Sequence, residues 1–93
     1  MLFNFASMPE ISRFFGIIIK MYYEDHNPPH FHAEYQDFTA EYDIRTLQKL
    51  AGNLPPRAHS LVLEWASYHR DALVEDWELA GKSVPLKKID PLQ

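Results

Sequence analysis

Cysteine is absent from this 93-residue chain, so neither a disulfide framework nor a thiolate metal site can be built from it. Long apolar runs are missing too. The longest, Phe14 to Met21, is interrupted by Gly16 and Lys20 and falls well short of the ~20 residues that cross a bilayer. The N-terminus lacks the basic start and unbroken apolar core of a secretory signal. The expected location is therefore the cytoplasm, with no membrane partner. Positive charge is sparse: nine Lys and Arg stand against thirteen Asp and Glu, for a net charge of −4. Apart from Lys87-Lys88 the basic residues are scattered, whereas a chain that neutralises phosphates carries a basic stripe. Nucleic-acid binding by the chain on its own is not expected. No internal repeat or low-complexity tract is present either.

What the chain does contain suffices for one core. Hydrophobic residues make up 46% of it, with two Trp, five Tyr and six Phe supplying large buried areas. A chain this short encloses a single domain. Residues 1–7 read as an N-terminal tail, since Met8-Pro9-Glu10 looks like a second start, and residues 8–93 read as the domain.

Alternation dominates the first half. From Ile11 to Tyr23 β-branched and aromatic residues prevail, with a bend or bulge expected at Gly16. Ile17, Ile19, Met21 and Tyr23 fall on one face; Ile18, Lys20 and Tyr22 fall on the other. Asn27 before Pro28-Pro29 is held extended and ends any helix there. His30 to Gln36 then alternates Phe31, Ala33 and Tyr35 against His30, His32 and Glu34. Phe38 to Ile44 repeats the pattern, with Thr39, Glu41 and Asp43 opposed to the apolar side. If Gln36-Asp37 forms a two-residue loop, His32 lies opposite Glu41 and His30 opposite Asp43. Keeping the apolar faces together then places Tyr22 opposite His32 and Lys20 opposite Glu34. Leu47 to Leu50 reads as a short edge strand closed by Gly52-Asn53.

Periodicity changes after Pro55-Pro56, which sit where prolines are tolerated at a helix start. From Arg57 to Ala80 the spacing is helical. Ala58, Leu61, Val62, Trp65, Ala66, Ala72, Leu73 and Ala80 form one stripe, and Gly81 serves as the C-terminal stop. His69 and Asp76 interrupt that stripe, and the expected partners are hydroxyls of Tyr23, Tyr35 and Tyr42 on the facing sheet. Val84 to Gln93, with Pro85 and Pro91, reads as an extended strap anchored by Leu86, Ile89 and Leu92. The expected fold is α+β: a three- to four-stranded antiparallel sheet with one long helix on one face.

Several stretches carry a family resemblance. Met8-Pro9-Glu10-Ile11-Ser12-Arg13-Phe14, Asp25-His26-Asn27-Pro28-Pro29-His30-Phe31-His32-Ala33, Leu61-Val62-Leu63-Glu64-Trp65 with His69 and Trp77, and Pro85-Leu86-Lys87-Lys88-Ile89 together resemble the bacterial family Domain of Unknown Function 4160. The proline–histidine stretch is the most specific part. The resemblance implies a small bacterial protein, often encoded beside another small protein in arrangements suggestive of toxin–antitoxin or regulatory pairs. It carries no activity with it. Two departures stand out: Gln36-Asp37 where such sequences more often have glycines, and Asp76 where an Asn is expected.

Chemistry concentrates on the outer sheet face. Two histidines at i and i+2 on a strand project to the same side, ~6.6 Å apart at Cα, and that spacing lets two imidazoles share one ion. Tyr22, His26, His30, His32, Glu34, Glu41 and Asp43 make up the expected binding face, and His30, His32 and Glu41 the expected metal set. No cofactor is required by the pattern, although zinc or another divalent ion suits imidazole with carboxylate. The same residues also read as ordinary cross-strand charge pairs. Ile18 and Tyr22 add an apolar fringe of the kind seen around binding patches. The leading expectation is a small cytosolic binding or regulatory module, one half of a toxin–antitoxin-like pair, engaging a companion protein or a second copy of itself. The alternative is a metal-dependent hydrolase or RNase-like toxin working through the His-x-His-x-Glu strand. In its metal-free form, Tyr22, His32 and Glu41 would act in one row.

Overall fold

The computed structural model describes residues 8–93; the expected tail, residues 1–7, lies outside them. The chain is α+β, with more strands and a shorter helix than the sequence suggested. Five antiparallel strands lie in chain order: β1 (Glu10–Phe14), β2 (Ile17–Lys20), β3 (His30–Tyr35), β4 (Phe38–Asp43) and β5 (Lys49–Gly52). The extra strand arises at Gly16. Phe15 and Gly16 both adopt positive φ, 49° and 80°, which is the backbone of a two-residue hairpin loop. The segment therefore folds back on itself, Phe14 pairing with Ile17, where a bend in one strand was expected.

The β3–β4 register is the expected one, with His32 opposite Glu41 and His30 opposite Asp43. The β2–β3 register is not. Lys20 stands opposite His32 and Ile18 opposite Glu34, a shift of two residues from the expected pairing. Such a shift preserves the faces, because side chains alternate with period two; apolar patterning alone does not distinguish the two registers. The diagonal neighbours keep the anticipated contacts: Lys20 Nζ lies 3.1 Å from a Glu34 carboxylate oxygen, and the Tyr22 ring meets His32 edge-on with centroids 4.5 Å apart.

Two helices replace the single long one: α1 (Pro56–Tyr68) and α2 (Arg70–Gly81). Pro55 caps α1 and Pro56 occupies its first turn. The break falls at His69, whose φ of −129° leaves helical geometry. In a straight helix that imidazole would sit in the middle of the apolar stripe. Breaking there leaves it half-buried, its ring 5.5 Å from that of Trp65. Arg70 fixes the new direction by donating to the Arg45 carbonyl oxygen at 3.1 Å.

Ala58, Val62, Trp65 and Ala66 of α1 and Leu73 and Ala80 of α2 are buried, as the stripe required; Leu61 and Ala72 are half-buried. They cover Ile17, Ile19, Met21, Phe31, Ala33, Tyr42 and Ile44 from the sheet. Phe14 and Phe31 pack on Trp65 with centroids 5.3 and 5.9 Å away. The expected tyrosine partners are not used. Tyr42 Oη is hydrogen-bonded to His59 Nδ1 at 2.8 Å, and Asp76 accepts the backbone N–H of Lys87 at 2.8 Å. The strap is extended as expected. Ile89 is buried, its N–H donates to the Ile11 carbonyl oxygen at 2.8 Å, and Trp65 Nε1–H donates to that of Asp90 at 2.8 Å.

Candidate functional site

On the face of β3 and β4 turned from α1, a cleft of about 500 Å³ opens between the β2–β3 loop and the strands. Tyr22, Glu24, Asp25, His26, His30, His32, Glu34 and Glu41 are among the residues lining it. The strand pleat delivers His32, Glu34 and Glu41 to this side. The Asn27–Pro28 peptide is cis, and the loop brings Asp25 back over the first residue of β3.

Asp25 is the residue that sequence reasoning missed. One of its oxygens, Oδ1, accepts the His26 N–H at 2.8 Å. The other, Oδ2, lies 3.0 Å from His30 Nε2 and 3.5 Å from His32 Nε2. One donor atom from each of Asp25, His30 and His32 falls within 4.8 Å of the other two. The only sequence signal was the crowding of Asp25 with two prolines and three histidines; strand alternation does not reach into a loop. Glu41, expected as a metal ligand with the two histidines, stands further off, 3.8 Å from His30 Nε2 and 3.9 Å from His32 Nδ1.

Tautomers follow from the surroundings. His30 Nδ1 lies 2.7 Å from the Pro28 carbonyl oxygen. A carbonyl only accepts, so Nδ1 carries a proton, while Nε2 is turned to the Asp25 carboxylate. His32 Nε2 is fully buried and has no hydrogen-bond partner. Burial lowers the pKa of His32 and outweighs the opposing pull of Asp25 and Glu41. Burial raises that of Asp25, but the His26 N–H and the neighbouring imidazoles overcome it, so the net shift is downward. Asp25 is held as carboxylate.

Other expected members of the face are employed differently. Asp43 is buried and its Oδ1 accepts the N–H groups of Arg45 and Thr46 at 2.7 and 3.0 Å. An aspartate at a strand end beside a turn satisfies turn donors in this way, and Asp43 therefore does not join the histidines. Glu34 is paired with Lys20. His26 stands at the rim, its side chain 86% exposed. His30 is 2% exposed, because Trp77 of α2 packs on it with centroids 5.3 Å apart. The outer face is thus covered at its His30 end, where it was expected bare. The metal-free row is also displaced: the strand position opposite His32 belongs to Lys20, although Tyr22 still touches the His32 ring.

An antiparallel meander with helices packed on one face and an imidazole–carboxylate cleft on the other defines a small α+β domain. The chain belongs to the family described as Domain of unknown function (DUF4160), whose family model matches residues 16–78, more than half of the chain. The match takes in the cleft residues from Tyr22 to Glu41 and also Trp77, while Met8, which also lines the cleft, and the Met8–Phe14 and Pro85–Ile89 stretches of the resemblance fall outside it. No curated protein and no solved structure matches the chain. No helix among the described residues is long and apolar enough to cross a membrane.

Proposed function

We propose that this chain is a small binding module, the regulatory half of a two-protein pair, and that its cleft receives a positively charged group. The supporting observation is the charge of the cleft. Asp25 and Glu41 face it with only imidazoles as ion-pair neighbours among the described residues. Glu24 adds a further carboxylate to the lining, and Lys20, the nearby cation, is engaged by Glu34. Carboxylates without a lysine or arginine partner around a half-enclosed hollow attract cations and repel phosphate. For that reason the binding reading is favoured over an RNase-like toxin, whose phosphodiester substrate would meet the wrong sign of charge. Tyr22 supplies the aromatic wall that interface pockets commonly carry.

The test is co-expression with the protein encoded beside it, followed by size-exclusion chromatography with light scattering. A defined complex is expected from the wild type and from His59→Ala, which lies across the sheet, and none from Glu41→Lys. A complex indifferent to Glu41→Lys, or none with either that companion or a second copy of the chain, rejects the reading.

A further inference from the structure

We infer that the cationic group of the cleft is a divalent metal ion of the zinc class, bound by Asp25 Oδ2, His30 Nε2 and His32 Nε2. The inference rests on the reading of the cleft as the working surface and names what the cleft holds there.

Three features carry it. The first is the disposition of lone pairs. His30 spends its one neutral-state proton on Pro28 through Nδ1, yet its Nε2 stands 3.0 Å from a carboxylate oxygen. His32 Nε2 is buried, without a partner, and 3.5 Å from that same oxygen. One atom from each of the three side chains thus converges on a common point, and a cation there would take a lone pair from each, including the otherwise unpartnered His32 Nε2.

The second is spacing. Ligands placed ~2.1 Å from a tetrahedral ion lie about 3.4 Å from each other. Two of the three separations, 3.0 and 3.5 Å, bracket that value, and the third lies within 4.8 Å. Two imidazoles and one carboxylate favour zinc and its first-row neighbours over magnesium or calcium, which prefer all-oxygen sets.

The third is the support behind the ligands. A metal-bound histidine ordinarily donates its other ring N–H to a carbonyl or carboxylate, which fixes its orientation. His30 has this arrangement already, through Pro28, and Trp77 packs against its ring. For His32 the carboxylate on the Nδ1 side is Glu41, at 3.9 Å, an ion-pair distance longer than a hydrogen bond. Asp25 is oriented by the His26 N–H on its other oxygen. Glu41 is accordingly a positioning residue, where the strand pattern had it as a ligand.

The experiment is calorimetric titration of the untagged, chelator-treated full chain with zinc chloride, with thermal melts in parallel. One zinc per chain and a raised Tm are expected. Asp25→Ala and His32→Ala abolish the binding. His26→Ala and His59→Ala keep it. Glu41→Gln keeps the stoichiometry and weakens affinity by about 10- to 100-fold, the usual effect of losing such a supporting group. Long-range imidazole nitrogen spectra of the wild type remain informative even where a variant fails to fold: zinc shifts the Nε2 resonances of His30 and His32 and leaves His59 unmoved. Absence of zinc binding, binding that survives both ligand substitutions, or shifts confined to other histidines overturns the inference. The companion-protein assay repeated in chelator separates the two proposals. A complex that still forms in chelator and still fails with Glu41→Lys, together with no zinc uptake in the calorimetry, leaves the binding module standing and removes the metal.

Discussion

His30 and Trp77 lie ring against ring, 5.3 Å between centroids and inclined at 50°. The break at His69 thus sets α2 to cover a histidine on the central strand. Trp77→Ala should expose the His30 ring and cost about 1–3 kcal/mol of stability, since the indole is only half-buried. Diethylpyrocarbonate reactivity checks it. In the wild type His26 reacts fast and His30 slowly; in the variant both react fast. Unchanged protection of His30 would mean that the indole is not what shields it.

The carboxyl of Asp76 is 1% exposed and its Oδ2 has no partner. Burial raises its pKa, more than the Lys87 N–H lowers it. The folded state therefore binds this proton more tightly than the unfolded chain. Its contribution to stability is greatest with the proton on and declines as pH rises from the unfolded carboxylate range through the raised folded value. Asp76→Asn keeps an oxygen for Lys87 and removes the buried charge. At neutral pH it should gain about 1 kcal/mol, or ~4–8 °C in Tm for a domain this size. The gain should vanish in acid. A variant that is no more stable at pH 7 than at pH 3, relative to wild type, refutes this.

Gly52 and Gly81 offer a matched pair. Gly52 has φ of 71°, and a Cβ there would stand 2.2 Å from the Thr39 carbonyl oxygen. Backbone cannot yield as a flexible side chain would, so Gly52→Ala should destabilise by roughly 2 kcal/mol or more through strain at β5. Gly81 meets nothing within 4 Å. Gly81→Ala, at the end of a helix, should be neutral or add up to ~1 kcal/mol. Urea unfolding of the two variants beside wild type gives both numbers.

The cleft's charge predicts the outcome of a hydrolysis assay. Bis(p-nitrophenyl) phosphate, with or without added zinc, should be turned over no faster than in buffer. Turnover that is abolished by His32→Ala would move the cleft to the hydrolase class.

The sequence disclosed the sheet faces well and the loop geometry poorly. Period-two alternation placed Phe31, Ala33 and Tyr42 in the core and His32, Glu34 and Glu41 on the other side, because burial selects residue type at every second position. It carried no information on the β2–β3 offset, since a two-residue shift buries the same faces. It missed the hairpin at Phe15-Gly16 because a phenylalanine with positive φ is an uncommon turn residue. The proline–histidine stretch signalled a site, but which carboxylate met the imidazoles was decided by a loop. Asp43 and Asp25 are both aspartates near the ends of segments; one caps a turn and the other faces two rings. Nothing in their local sequence tells them apart.

The final residues run beside β1, the Ile89 N–H on the Ile11 carbonyl and the Lys88 ammonium on that of Glu10, each at 2.8 Å. An open strand flank is a template on which another chain can polymerise. Here the protein's own tail occupies part of that flank and anchors there through a buried isoleucine. Cutting the chain before Pro85 would bare it, and the loss would show as fibril growth even where each separate copy still folded.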